Sequence, residues 1–394
     1  MKTMALVSSS TSRRPLRILF AVQGEGRGHM TQALALRDLL VARGHFVCGV
    51  LVGRSEGRKV PAFFAEGIGA PTFLYDSPNF AYDGHAVSII RTVRAALRRS
   101  WIYAHHLQLI HRQVTALQPD VIVNFYEGMV GLYNLAFRPD VPVVCIGHQY
   151  MFHHPDYRFA PGQRVGRAAL RAYTHLTAAR AHRRLALSFY PAADVPEQAI
   201  RVVPPLLRRE VLALDGSRSE DFFLVYLLDA SMAEQIEAWH ARRSDVRLQC
   251  FWDRDHHQPH PNLTFNPLCG ERFLQLMARS RGVVCTAGFE SVSEAMWLGK
   301  PVYMIPTPGH LEQRTNALDA DRTGAGIYSR RFDLDDFISY LDVQSPGERA
   351  ATQQRFQAWI RGSEARFVEE IEAAAHPRPA LARVNQPAEA REAA

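Results

Sequence analysis

The feature that most constrains the fold is an alternation of apolar, strand-like runs with amphipathic helical segments, and this alternation occurs twice along the 394 residues. The first series begins at Leu16 and the second at Phe222, and Pro204-Pro205 interrupts the pattern between them. Alternating strands and helices favour a parallel sheet that is covered by helices on both faces. Because a single core rarely extends over so long a chain, the pattern predicts an α/β protein of two domains.

Hydrophobic periodicity places the individual elements. The first series predicts strands at 17–22, 46–52, 121–125, 143–146 and 201–203, with helices at 30–43, 89–116 and 164–187. The second predicts strands at 222–228, 246–251, 282–286 and 302–305, with helices at 233–242, 271–279, 291–298 and 346–374. We expect disordered tails at 1–14 and 376–394, domains at 15–204 and 221–345, a linker at 205–220, and a C-terminal helix at 346–375.

Composition narrows the class of protein. With 47% hydrophobic and 22% charged residues, the chain is typical of a soluble globular protein. No run approaches the ~20 apolar residues of a membrane span, and the N-terminus has too short an apolar core for a signal peptide. Five scattered cysteines without a Cys-x-x-Cys pair indicate reduced thiols, so we expect a cytoplasmic protein. The net charge of +7 suits solubility or an anionic membrane face, and we expect no nucleic-acid partner.

Residues 285–317 combine a strand end, a glycine turn, a helix start and a second strand that polar residues follow. The free N–H groups and partial positive charge of a helix N-terminus make such a turn a natural phosphate site. Glu294, one turn into the helix, can accept a hydrogen bond from a sugar hydroxyl, and Glu312 and Gln313 follow the second strand. The pattern predicts a nucleotide-sugar site, while a Gly-x-x-x-Ser turn is also typical of a simple helix cap.

The donor-binding signature of GT-B glycosyltransferases resembles this segment, which reads Thr286-Ala-Gly288-Phe-Glu-Ser291-x-x-Glu294, then Gly299-x-Pro301 and Glu312-Gln313-x-x-Asn316. The segment is similar to that of the UDP-glycosyltransferases and of the enzyme that adds N-acetylglucosamine to the lipid-linked peptidoglycan precursor. The resemblance implies the GT-B fold, in which two Rossmann-like domains with parallel sheets face each other across a cleft. It further implies an inverting, metal-independent transfer from a nucleotide diphosphate sugar, most simply a UDP-sugar, with no cofactor.

The resemblance also assigns roles to residues. It implies that the diphosphate is bound by Thr286, Gly288, Glu290, Ser291 and Ser231, the ribose by Glu294, the donor sugar by His310, Glu312 and Gln313, and the nucleobase by Leu268, Cys269 and Gly270. Two positions depart from the family. A His is frequent where this chain has Thr286, and the second phosphate loop is usually rich in glycine, whereas here it reads Asp229-Ala-Ser231-Met.

A second loop, Gly24-Glu25-Gly26-Arg27-Gly28-His29, follows the first strand and opens a helix. Ligands of such sheets bind outside the carboxyl ends of the strands, where this loop must lie. In the family a Gly-His here faces the acceptor, so the resemblance implies Gly26, Gly28 and His148 at the acceptor and His29 as the general base, a task that suits a pKa near neutrality. A dinucleotide-binding turn and a helix-capping His29 are the alternatives.

A catalytic His usually needs an orienting carboxylate. In plant-type UDP-glycosyltransferases an Asp follows the fourth strand, but this chain has Asn124 at that place. Glu127, three residues further, is our preferred orienting group, with Glu25 as the other candidate. Glu127 can equally be the cap of the helix that follows the strand.

Two further segments carry suggestive residues. A cluster of Asp and His at 253–260 has metal-ligand residue types but lacks a helical His-x-x-x-His spacing, so we expect a solvated loop and no metal site. Residues 153–184 include seven arginines and a single acidic residue. This excess of positive charge suits peripheral contact with an anionic membrane or a solvated helix face.

The sequence therefore predicts a glycosyltransferase with a nucleotide-sugar donor and a hydroxyl acceptor, either a small molecule or a lipid-linked glycan. A UDP-sugar epimerase of the same architecture and a non-catalytic nucleotide-sugar-binding protein are the alternatives. The oligomeric state is open.

Overall fold

The computed structural model describes residues 14–55, 58–78, 82–83, 86–87, 89–226 and 231–376. Apart from Arg14 and His376, the two tails predicted at 1–14 and 376–394 lie outside these residues. Two seven-stranded sheets, one in each half of the chain, form the framework.

The first half contains nine described strands. They are β1 (Arg17–Gln23), β2 (Phe46–Arg54), β3 (Thr72–Asp76), β4 (Tyr82–Asp83), β5 (Ala86–Val87), β6 (Val121–Phe125), β7 (Val143–Gly147), β8 (Arg183–Leu187) and β9 (Ile200–Val203). The first sheet has the strand order β3-β2-β1-β6-β7-β8-β9 and is parallel throughout. Strands β4 and β5 form a separate antiparallel pair.

Helices cover both faces of this sheet. They are α1 (Arg27–Ala42), α2 (Ala62–Gly67), α3 (Ile89–Arg98), α4 (Ser100–Leu117), α5 (Gly128–Ala136) and α6 (Arg164–Thr177), and α7 (Arg209–Leu212) follows the last strand. Two short 3₁₀ helices lie at His148–His153 and Pro196–Gln198. Because helices pack on both faces, residues 18–22 of the central strand β1 are fully buried.

The second half repeats the plan. Its strands are β10 (Phe223–Tyr226), β11 (Leu248–Trp252), β12 (His257–His260), β13 (Leu263–Pro267), β14 (Gly282–Cys285), β15 (Val302–Met304) and β16 (Gly326–Tyr328). Its helices are α8 (Ser231–His240), α9 (Gly270–Arg279), α10 (Phe289–Trp297), α11 (Leu311–Arg322), α12 (Leu334–Val343), α13 (Pro346–Arg361) and α14 (Glu364–Ala375). The strand order is β12-β13-β11-β10-β14-β15-β16, and only the edge strand β12 is antiparallel.

The strand order reverses between β1 and β6 in the first sheet and between β10 and β14 in the second. Such switch points leave a crevice at the carboxyl ends of the strands, where ligands of doubly wound sheets bind. The loop before α1 and the turn before α10 both lie at these points. The predicted α/β fold with two parallel sheets is therefore confirmed.

The predicted secondary structure was wrong for one segment that contributes a strand to the first sheet. Residues 164–187 were predicted to be helical, but α6 ends at Thr177 and residues 183–187 form β8 between β7 and β9. The prediction was wrong because the arginines suggest a continuing amphipathic helix, whereas Leu185, Ala186 and Leu187 are fully buried in the sheet. Pairing with two neighbouring strands outweighs local propensity here.

Other boundaries also differ from the prediction. The helix predicted at 89–116 is divided into α3 and α4, and the one predicted at 346–374 is divided into α13 and α14. The loop predicted at 253–260 contains the edge strand β12, and α7 lies within the stretch 205–220. Strands β3, β13 and β16 were not anticipated.

Helix α14 packs on the first sheet although it follows the second one in the chain. Phe367 and Ile371 are buried, and Arg183 of β8 donates a hydrogen bond to Glu370 at 3.1 Å. Arg366 donates to the carbonyl of Val202 in β9 at 2.8 Å. The C-terminal helices therefore connect the two halves of the molecule.

All five cysteines lie within the described ranges and are free thiols. Of the helices that the structure describes, none combines the length and apolar composition that crossing a bilayer requires.

We expect Ile371→Ala to lower the free energy of unfolding by about 2–5 kcal/mol, because the side chain is fully buried and its removal leaves a cavity. The measurement is the urea unfolding midpoint. Glu369→Ala, at an exposed position of the same helix, is the matched control and should change the midpoint little. Equal shifts for the two variants would contradict the docking of α14.

Candidate functional site

The N-termini of α1 and α10 approach each other closely. A Cβ atom on Gly28, in the first turn of α1, would lie 3.2 Å from Cγ of Glu290 in the first turn of α10. A residue larger than glycine would therefore press on the opposite helix. The two loops that were predicted to bind acceptor and donor are thus neighbours.

His29 is buried in this contact and stacks on Tyr126, with ring centroids 5.6 Å apart. Its Nδ1 lies 3.2 Å from Oε1 of Gln32. An amide oxygen only accepts, so Nδ1 carries the proton and Nε2 keeps its lone pair. Burial lowers the pKa of His29 below its ordinary value of 6.5, while Glu312 and Gln32 oppose this effect.

Gln32 extends the contact across the two halves of the chain. Its Nε2 donates to Oε1 of Glu290 at 2.6 Å, so His29 is connected through one amide to a carboxyl group of α10. Burial raises the pKa of Glu290 to about 8, although the bond from Gln32 lowers it. Its other oxygen, Oε2, is buried and has no hydrogen-bond partner among the described residues. The sequence analysis missed Gln32, for which the available signal was its position three residues after His29 on one helix face.

The preferred orienting carboxylate, Glu127, has other partners. It caps α5 by accepting from the backbone N–H of Met129 at 2.9 Å, and it also accepts from the hydroxyl of Ser77 at 2.6 Å. Burial raises its pKa to about 7. Asn124 holds the same turn. Its Oδ1 accepts from the backbone N–H of Glu127, and its Nδ2 donates to the carbonyls of Glu127 and Thr177.

Glu25, the other candidate orienting group, forms hydrogen bonds to the segment that follows β2. Its Oε1 accepts from the backbone N–H of Ser55 at 2.6 Å and from the Ser55 hydroxyl at 2.7 Å, and Arg58 lies 3.3 Å from Oε2. Among the described residues, the hydrogen bond found for the His29 ring runs to Gln32.

The turn before α10 exposes a helix N-terminus. Thr286 is buried, Ala287 has the left-handed φ of 60°, and Gly288 is the exposed N-cap residue, which has no side-chain cap. A left-handed non-glycine residue marks a tight turn that the surrounding structure must hold, and such residues cluster at functional sites. Ser291, in the first turn of the helix, is partly exposed. The free N–H groups of this turn can bind an anion.

Glu294 forms an ion pair that the sequence did not reveal. Nε and Nη2 of Arg208 donate to its Oε1 at 2.9 and 2.5 Å, and the Glu294 side chain is almost fully buried. Arg208 precedes α7 and also faces Gly270, whose added Cβ would lie 3.8 Å from Nη1. Leu268 is partly exposed and Cys269 and Gly270 are exposed. Of these predicted nucleobase residues, Gly270 lies beside the guanidinium that pairs with Glu294.

The residues predicted to bind the donor sugar lie at the N-terminus of α11, either just before the helix or in its first turn. Nδ1 of His310 accepts from the backbone N–H of Gln313 and caps the helix, and Oε1 of Gln313 accepts from the backbone N–H of Thr307 at 2.8 Å. Glu312 accepts from Nε2 of Gln149, in the first half of the chain, at 2.9 Å. The structure therefore brings Glu312 into a second contact between the two halves.

His148 is buried and stacks on Phe289 of α10 with a centroid distance of 4.2 Å. Its Nδ1 donates to the carbonyl of Leu187 at 2.7 Å, so Nε2 accepts from the hydroxyl of Tyr157 at 3.2 Å. Burial lowers the pKa of His148 to about 4. The ring therefore stays neutral and packs as an aromatic contact between the two sheets.

Two of the predicted segments add little to the site. Residues 229 and 230 and the side chain of Ser231 lie outside the described residues. In the segment 253–260, His256 and His257 are exposed. Within the described ranges, no group of three His, Cys, Asp or Glu side chains is arranged to hold a metal ion.

Comparison with known proteins identifies the class of protein that has this arrangement. A sequence profile described as "Glycosyl transferase family 1" matches residues 16–343, which is most of the chain. The chain belongs to this family. It is therefore a glycosyltransferase, as predicted. A comparison with curated protein sequences found no match.

Solved structures show the same fold for this glycosyltransferase. The glycosyltransferase of kitacinnamycin is 17% identical with a TM-score of 0.62, covering 92% of this chain and 100% of its own. The calicheamicin glycosyltransferase CalG4 is 18% identical with a TM-score of 0.59, covering 93% and 100%. UGT89C1 of Arabidopsis thaliana in complex with quercetin is 17% identical with a TM-score of 0.62, covering 92% and 100%. The GT-B architecture is thereby confirmed.

Replacement of Glu290 should change how stability depends on pH. The folded protein raises the pKa of Glu290 from 4.5 to about 8, so the unfolded chain ionises first and the free energy of unfolding falls as pH rises through this range. Glu290→Gln does not titrate, and its free energy of unfolding relative to the wild type should therefore rise over the same range. Urea unfolding at a series of pH values measures this difference. Parallel pH profiles for the two proteins would refute the assignment, and Glu271→Gln, at an exposed position, is the control.

Proposed function

We propose that this glycosyltransferase moves a sugar from a UDP-sugar to an acceptor hydroxyl, with inversion at the anomeric carbon and without a divalent metal. The observation that carries the proposal is the connection from His29 through Gln32 to Glu290, which joins the Gly-His loop to the helix N-terminus of the donor signature. This reaction requires a base next to an anion site, and the Gly-His loop is adjacent to the N-terminus of α10.

His29 is the proposed general base. The oxygen of the acceptor hydroxyl attacks the anomeric carbon, its proton passes to Nε2 of His29, and the bond between the anomeric carbon and the β-phosphate oxygen breaks. A buried imidazole with a lowered pKa is neutral near pH 7 and can take the proton. Gln32 fixes the tautomer that leaves Nε2 free, which replaces the orienting Asp of related enzymes.

The helix N-terminus of α10 is the proposed diphosphate site. Negative charge develops on the β-phosphate as the sugar leaves, and backbone N–H groups at Gly288, Glu290 and Ser291 can stabilise it. Glu290 is protonated near neutral pH because its pKa is about 8, so its carboxyl group does not repel the phosphates. Thr286, at the end of β14, and Ser231 complete the proposed set.

Glu294 and Arg208 support the proposed ribose contact. The ion pair holds the Glu294 carboxylate in one position, and the same guanidinium lies beside Gly270 of the proposed nucleobase residues 268–270. For the donor sugar we propose His310, Glu312 and Gln313. Nε2 of Gln149, from the first half of the chain, donates to Glu312 and so holds this carboxylate in place for a sugar hydroxyl.

The proposed acceptor is a small molecule that carries a hydroxyl. Structures with quercetin or with the spinosyn aglycone bound have the same fold, which supports this choice over a lipid-linked glycan. For a lipid-linked acceptor, contact with an anionic membrane would fall to α6, where Arg164, Arg167, Arg171 and Val165 are exposed.

We expect His29→Ala to lower kcat by about 10²–10⁴-fold, because the acceptor hydroxyl loses its general base. The affinity for UDP should change by less than about threefold, because the imidazole is not part of the diphosphate site. Steady-state kinetics and calorimetric titration with UDP provide the two measurements. His256→Ala removes an exposed imidazole and should leave both unchanged. A parallel loss of turnover and of UDP binding would refute the role of His29.

A panel of nucleotides tests the donor. UDP should raise the unfolding temperature more than TDP, GDP or ADP at equal concentration, because a ligand that binds only the folded state stabilises it more when it binds more tightly. A larger shift with any other nucleotide would exclude UDP as the donor nucleotide. Incubation with the preferred nucleotide sugar alone then separates the alternatives, since an epimerase forms a new sugar nucleotide without an acceptor. A sensor binds without turnover.

A further inference from the structure

A cavity of about 700 Å³ lies between the two halves of the molecule, apart from the proposed donor and acceptor sites. Its walls come from the segment after β8, from the C-terminal ends of α10 and α11, and from one face of α13. No residue to which we assigned a role in transfer lines it. Its volume is within the range of roughly 300–1,000 Å³ that is typical of small-molecule sites.

The walls of this cavity include four aromatic side chains, those of Phe189, Tyr190, Phe356 and Trp359, and hydrogen bonds hold two of them in place. Nε1 of Trp359 donates to the carbonyl of Ser188 at 3.0 Å, and the Tyr190 hydroxyl donates to Oδ1 of Asp319 at 3.0 Å. Phe356 is buried beneath the surface of α13. Walls that hydrogen bonds hold in place need little rearrangement to bind a ligand, which favours affinity.

Two arginines, Arg322 and Arg355, line the cavity, and its lining includes no carboxylate. Asp319, which accepts from Tyr190 behind the wall, lies 4.0 Å from Nη1 of Arg322 and offsets part of its positive charge. Arg355 is therefore the cation in the lining without a carboxylate ion pair among the described residues. Arg355 uses Nη2 to bond the hydroxyl of Thr352 at 3.0 Å, and Arg322 uses Nη1 to bond the carbonyl of Arg158 at 3.4 Å. A guanidinium has five N–H donors, so each keeps further donors for an anion.

We propose that this cavity is a second ligand site, which takes an organic carboxylate with an aromatic or aliphatic body. The body contacts the rings of Trp359 and Phe356, and the carboxylate is bound by Arg322 and Arg355. The site is separate from the transfer reaction, so its existence does not depend on the proposed donor or acceptor.

The ligand would contact residues that pack on α10 or belong to it, and the N-terminus of this helix is the proposed diphosphate site. Phe189 lines the cavity and also packs on Phe289, the first residue of α10, with ring centroids 4.5 Å apart. Met296, near the other end of α10, lines the cavity as well. A bound carboxylate therefore touches both halves of the chain and the helix whose N-terminus is the proposed diphosphate site.

The test uses 1-naphthoate and its neutral counterpart 1-naphthamide as probes, with calorimetric titration of the full chain saturated with UDP. We expect the wild-type protein to bind 1-naphthoate at least about tenfold more tightly, because bonds between ions are stronger than those of a neutral amide. In the double variant Arg322→Gln, Arg355→Gln, this preference should disappear while the affinity for 1-naphthamide stays the same.

Ala358→Phe is the second variant, since it fills the cavity from an exposed position of α13 and should not disturb folding. It should abolish binding of both probes. Failure of the wild type to bind 1-naphthoate would overturn the proposal. So would a preference that survives the double arginine variant, or binding that survives Ala358→Phe, because either result places the probe elsewhere. None of these readouts requires turnover, so they stay separate from a failure of the proposed transfer reaction.

Discussion

The first turn of α10 makes the contact on which the active-site arrangement depends. Phe289 stacks on His148 and packs on Phe189, and Glu290 bonds Gln32 at 2.6 Å. The aromatic contacts remove apolar surface from water, and the hydrogen bond gains strength because it is partly shielded from water. This turn therefore sets the distance between the carboxyl ends of the two sheets, and with it the position of His29 relative to the proposed phosphate site.

Burial also raises the pKa of three carboxyl groups in this region. The pKa is raised to about 7 for Glu127, to about 8 for Glu290 and to about 6 for Asp319. Each of the three accepts a hydrogen bond from another element, from Ser77, Gln32 and Tyr190 respectively. Because burial makes the charged form costly, the protonated form of each gains in stability, and Glu290 is the one of the three whose pKa lies above neutrality. The acids therefore connect segments of the chain, and the protonated Glu290 adds no negative charge at the proposed diphosphate site.

Sequence reasoning succeeded where the signal is local. The turn at 286–291 was recognised from a strand, a glycine and a helix start that are contiguous in the chain, and the structure shows an uncapped helix N-terminus there. It failed at β8, whose identity depends on pairing with two strands that are distant in sequence. It also failed for Gln32 and Arg208, which bond carboxylates 258 and 86 residues away. No local pattern contains such a partner.

The sequence by itself determined the two α/β halves, the glycine turn before α10 and the Gly-His loop, because periodicity and turn chemistry are properties of neighbouring residues. Only the tertiary structure decided that His29 bonds Gln32 while Glu127 bonds Ser77 and Met129, that Glu294 is paired with Arg208, and that a cavity with two arginines lies between the halves. Burial, ion pairing and pKa depend on which distant segments pack together, and that is settled only when the whole chain has folded.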